Sequence, residues 1–112
     1  MIEIIVFLNG IYDILCALCI MKIINLRYFD KIHLNMFIQY NQNLKRKLSI
    51  LVLTNGLIRI TNNYKLISLS YIVEAIYFLN ELLHNNIFIY SGLFVIITCL
   101  ILHYLSWCLI NN

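Results

Sequence analysis

The sequence predicts an all-α integral membrane protein folded as a single bundle of four transmembrane helices, and three observations carry that prediction. Of 112 residues, 62% are hydrophobic and only 12% charged, against roughly half and about a quarter in soluble domains. The apolar residues gather into four runs separated by one long and two short polar segments. Six of the eight basic residues, Lys22, Arg27, Lys31, Lys45, Arg46 and Lys47, lie in or beside one loop. Four spans of about 20 residues would take ~80 positions and leave ~32 for every loop and both ends. A soluble catalytic domain, typically ~50 residues or more, has no room beside them. Basic residues flanking apolar runs read as a topology signal, not as a nucleic-acid footprint.

The first span is expected over residues 4–24. It lacks the basic start and small-residue cleavage site of a secretory signal, and so reads as a retained span. Its Cys16 and Cys19 form a C-x-x-C. Within an apolar run, with no polar knuckle around them, they read as small hydrophobes and not as a zinc or redox pair. A basic loop follows over 25–47. In it Phe29, Ile32, Met36 and Phe37 recur at helix-like spacing among Asp30, Lys31, His33 and Gln39. That pattern fits a short amphipathic helix in the headgroup plane, whose apolar face would be an interfacial or docking surface; a solvated loop is the alternative.

The second span, 48–61, is the weakest, because it is short and contains Asn55, Gly56 and Arg59. The third is expected over 66–83, after a polar turn at Asn62 and Asn63, and the fourth over 87–110. The fourth is the longest and least interrupted, with Tyr104 and Trp107 near its end as interfacial anchors. Its His103 lacks a second intramembrane histidine with which to hold haem, and is read as a packing residue. The cluster Lys45, Arg46 and Lys47 places the first loop in the cytosol, with both termini and the second turn on the other side.

A charged side chain at mid-membrane costs about 2.5–3.5 kcal/mol even on the lenient insertion scale, so each needs a partner or a function. Asn9, Tyr12, Asp13 and Cys16 share one face of the first span, Asn55 and Arg59 one face of the second, and Ser70, Glu74, Tyr77 and Glu81 one face of the third. These stripes should meet inside the bundle as a polar cluster that also takes in Asn80. Arg59 is the cation available to it, paired with Glu81 or Asp13. The residues leave two functions open. One is a non-enzymatic scaffold that docks membrane proteins or self-associates; the other is a small oligomeric ion or proton channel lined by Asp13, Glu74 and Glu81. No span carries a metal-ligand set or a recognisable nucleophile, base and orienting group, so neither enzyme activity nor a cofactor is expected.

From Arg46 onward the chain resembles the small four-span endoplasmic-reticulum family of ergosterol-biosynthesis scaffold proteins. Arg46 and the triplet Leu57, Ile58 and Arg59 match the family's two arginines with twelve intervening residues. Tyr64, Ser70, Tyr71, Tyr77, Phe78, Asn80 and Glu81 stand where the family's third-span motifs would fall, and Asn9 resembles a family asparagine. The family's Thr-Phe-Gly-x-Trp-Thr segment is replaced by Lys47, Leu48, Ser49, Ile50, Leu51 and Val52; Tyr77 replaces a histidine, and Glu74 is additional. The resemblance implies a location in the endoplasmic reticulum and a non-catalytic tether for the enzymes of sterol carbon-4 demethylation.

Overall fold

The computed structural model describes residues 1–26, 28–29, 31–61 and 63–110. Arg27, Asp30 and Asn62, which figure in the expected loop and turn, lie outside the described residues. Among the described residues the regular secondary structure is helical apart from one isolated bridge: α1 (Ile2–Ile20), α2 (Lys31–Leu34), α3 (Gln42–Arg59), α4 (Tyr64–Leu83) and α5 (Ile89–Ile110). α1, α4 and α5 are long and apolar enough to cross a membrane. α3 is not among them, because three of its first six residues are Lys45, Arg46 and Lys47.

Local chemistry sets the helix ends. α1 stops four residues short of the expected end, at Ile20. Lys22 adopts a left-handed φ of 63°, Lys22 N–H bonds to Cys19 O and Ile23 N–H to Leu18 O. That is the Schellman closure, which satisfies carbonyls the last turn would leave open. α4 ends the same way, with Asn85 at φ 59° and its N–H on Leu82 O, and Asn86 N–H on Glu81 O; asparagine tolerates this conformation better than most residues. α3 starts six residues before the expected apolar run, because the Asn41 side chain accepts the Leu44 N–H at 2.9 Å and caps the helix. The basic triplet is therefore the helix's first turns and not loop. Asn63 caps α4 through Leu66 N–H.

α1 packs along α3 and α5 along α4; the two pairs are joined mainly through α3 and α4. The first loop closes one end of the bundle. Ile38 N–H bonds to Asn86 O and Phe88 N–H to Met36 O, around an antiparallel bridge of Phe37 with Ile87. Met36, Phe37 and Leu34 are buried there with Cys16, Leu48, Val52, Phe78 and Ile87. This corrects the expected docking face. α2 is a single turn, Met36 and Phe37 point into the bundle end, Phe29 is half-buried against Tyr12, and of the four only Ile32 is left exposed. The amphipathic spacing is real, but the bundle itself covers the apolar side.

The outward faces are apolar. On α1 these are Ile4, Phe7, Leu8 and Ile11; on α4 Leu69, Val73 and Ile76; on α5 Phe94, Ile97 and Ile101. The buried set includes Asp13, Asn55, Arg59, Ser70 and Glu74. Polar groups inside and apolar groups outside is the arrangement a bilayer favours.

Candidate functional site

The site is built on a backbone contact. Gly10 of α1 faces Gly56 of α3 so closely that a Cβ on either would stand 2.9 Å from the other's carbonyl oxygen. Small residues permit such an approach. α1 and α3 run antiparallel, so Asp13 and Arg59, each three residues beyond its glycine, stand on opposite sides of the crossing, and the long Arg59 side chain reaches back across it to Asp13.

Arg59 is 2% exposed and touches two neighbouring helices, α1 and α4. Its Nη1 donates to a carboxylate oxygen of Asp13 and, at 3.2 Å, to Asn9 Oδ1. Its Nε donates to Ser70 Oγ at 3.2 Å, and that hydroxyl donates in turn to Ile67 O. The guanidinium lies over the Tyr71 ring at 3.8 Å, and the Tyr71 hydroxyl donates to Asn9 Oδ1 at 2.8 Å. Glu74 Oε2 is 3.6 Å from Nη2 and accepts from the Cys99 thiol of α5 at 2.7 Å. All four long helices thus contribute to one cluster, in which a single guanidinium faces two carboxylates. Buried ions are tolerated only when paired and hydrogen-bonded in this way.

Of the expected cluster, Asn9, Asp13, Arg59 and Glu74 come together, and Asn55 is buried one turn before Arg59 with its Nδ2 unpartnered. Tyr77, Asn80 and Glu81 do not join. Tyr77 packs edge-on against Phe78, Asn80 is exposed, and Glu81 accepts from the Asn86 amide at 2.9 Å at the loop end of the bundle. Glu81 shares the face of Ser70 but stands eleven residues along α4, about 16 Å at 1.5 Å per residue. The expected Arg59 partners were Glu81 or Asp13; Asp13 is the one in contact. Tyr71, Cys99 and Gly10 are participants that polarity stripes alone did not mark.

A second polar clasp joins α4 and α5, where His103 Nδ1 lies 2.9 Å from Ser68 O and 2.8 Å from its hydroxyl. His103 is satisfied by packing. Among the described residues no three His, Cys, Asp or Glu side chains converge as metal ligands.

A cavity of about 190 Å³ opens beside the cluster, with Arg59, Asp13 and Glu74 on its wall. His33, in α2, also borders it, and its Nδ1 is buried without a hydrogen-bond partner. Burial holds this imidazole below its ordinary 6.5; the Glu74 carboxylate pulls the other way and the Arg59 charge adds to the lowering. The unfolded chain therefore takes up a proton at His33 before the folded chain does. That stability is present in full above pH ~6.5 and declines as pH falls, by at most about 1.4 kcal/mol per pH unit. Unfolding in detergent between about pH 7 and pH 5 measures the decline, and His33→Gln is expected to flatten it.

Comparison of the chain with family models, curated proteins and solved structures finds no match in any of the three.

Proposed function

We propose that the chain is a non-enzymatic membrane scaffold whose four helices all cross the bilayer, and that it works by lateral docking of membrane-bound enzymes. Holding two such enzymes on one small bundle raises their effective concentration for each other without any new chemistry. The observation that carries this reading is the division of the molecule. Asp13, Arg59 and Glu74 are paired with one another inside, while α1, α4 and α5 turn broad apolar faces outward. α3 fits the same pattern despite its basic start. Ile50, Thr54 and Leu57 lie on one outward side, Arg59 and Asn55 turn inward, and Lys45 to Lys47 sit at the end. The resemblance at Arg46 and at Leu57, Ile58 and Arg59 favours the endoplasmic reticulum and enzymes of sterol synthesis as clients.

Purification from native membranes in mild detergent, followed by mass spectrometry, is expected to recover one or more membrane enzymes in constant ratio; recovery of none would count against docking. Charge reversal by Lys45→Glu, Arg46→Glu and Lys47→Glu together is expected to mix the chain's orientation before it weakens that recovery.

A second reading, a proton-conducting oligomer, is favoured by one observation, namely that Asp13 and Glu74 border a common cavity. Planar-bilayer recording of the purified protein separates the two. A pH-sensitive current abolished by Glu74→Gln supports conduction, and its absence removes it.

A further inference from the structure

α1 and α5 scarcely touch along their length, since each is packed chiefly against a different partner. The cavity of about 190 Å³ lies in this gap. An apolar protein cavity of about 150 Å³ is enough for a benzene-sized molecule. This one therefore accommodates a headgroup and the first carbons of a chain, with the remainder outside.

The cavity's two ends differ. At the inner end Arg59 Nη2 is buried with no hydrogen-bond acceptor, Glu74 being too far at 3.6 Å. A buried charged donor left unmatched is costly, and Arg59 stands on the cavity wall beside Glu74. Toward the outside the wall is Phe94, Val95 and Leu102 of α5, and Phe94 is 71% exposed at the mouth. Phe94 is on the face that α5 turns outward with Ile97 and Ile101.

We propose that this cavity binds the hydroxyl end of a neutral membrane amphiphile, which enters between α1 and α5. The hydroxyl oxygen accepts from Arg59 Nη2, the hydroxyl proton is donated to the Glu74 carboxylate, and the chain runs out past Val95 and Phe94. The cluster's charges select the headgroup. With two carboxylates already facing one guanidinium, an anionic head adds a third negative group in a buried setting. An ammonium head has no lone pair for Nη2 to donate to. A hydroxyl both accepts and donates, which is what Nη2 and Glu74 require of a single atom. The inference does not depend on docking of enzymes; it depends on the gap facing lipid.

The test is photolabelling of the full chain in phosphatidylcholine vesicles with a diazirine-bearing dodecanol, with sites mapped by mass spectrometry. Labelling at Phe94, Val95 and Leu102 is expected to exceed that at the lipid-facing Ile76 by about tenfold, the ratio that a 1.4 kcal/mol preference gives. Unlabelled dodecanol should compete it away, and dodecanoate and dodecylamine should not. Val95→Trp, which fills the cavity without touching its polar end, should remove the excess and leave labelling at Ile76 unchanged. The headgroup comparison uses the unaltered chain, so it stands even if that variant misfolds. Uniform labelling of cavity and outer residues, or equal competition by the three headgroups, would overturn the proposal.

Discussion

Arg59→Met is expected to be the most damaging single substitution in the protein, lowering stability by about 3–5 kcal/mol. The loss is not that of one favourable contact. Removing the guanidinium leaves Asp13, 3% exposed, with no cation, and takes donors from Asn9 and Ser70 together. Stranded carboxylates account for most of the expected cost, so neutralising them should reverse much of it. Arg59→Met combined with Asp13→Asn and Glu74→Gln is expected to regain at least half the loss, because a buried ionic group exchanged for a neutral one of similar volume is often close to neutral in stability. Thermal or denaturant unfolding in detergent reads both effects. A double-mutant cycle adds the geometry: coupling of Arg59 with Asp13 should be large, and coupling with Glu81 within about 0.5 kcal/mol of zero.

The glycine crossing gives the second large effect. Gly56→Ala and Gly10→Ala each place a methyl group 2.9 Å from a backbone oxygen of the other helix. A backbone atom cannot rotate aside as a side chain can, so α1 and α3 must separate, and a cost of about 1–3 kcal/mol each is expected, as for other overpacked contacts. The separation also draws Asp13 away from Arg59. Since one displacement relieves both methyl groups, the double variant should cost less than the sum of the two. Gly92→Ala is the control. Its Cβ would meet the side-chain ends of Ile87 and Leu82, the nearest at 2.7 Å, and these can move. Its effect is expected to be the smallest of the three.

Hydrophobic runs made three of the long helices legible from the residues, and helical periodicity made their polar faces legible. The level of each residue along its helix was not. Glu81 and Glu74 lie on the same side of α4, and nothing in a stripe tells which of them meets Arg59. The chain does contain that information, in the short turn after Arg59. A turn of this length returns the chain antiparallel, so α4 meets the end of α3 with its own beginning, near Ser70 and Tyr71. Similarly, the apolar spacing of Phe29, Ile32, Met36 and Phe37 was visible. What covers it was not, because the covering residues, Phe78 and Ile87, come from elements far away in the chain. Gly10 and Gly56 are two of only three glycines, and each lies one turn from a charged residue. That coincidence was the available signal for the crossing.

In the proposed scaffold, α3 crosses the membrane with the other helices because its charge at Arg59 is met inside the bundle. Its 18 residues reach about 27 Å, but the 12 that follow the basic triplet reach only about 18 Å, short of the ~30 Å hydrocarbon thickness, so the crossing depends on the helices around it. The sequence contains no Asn-x-Ser or Asn-x-Thr acceptor, so a single inserted glycosylation tag reports its side of the membrane without background. Tags inserted one at a time between α2 and α3, and between α3 and α4, are expected to differ, with the first unmodified and the second glycosylated. The same outcome at both positions would contradict the crossing.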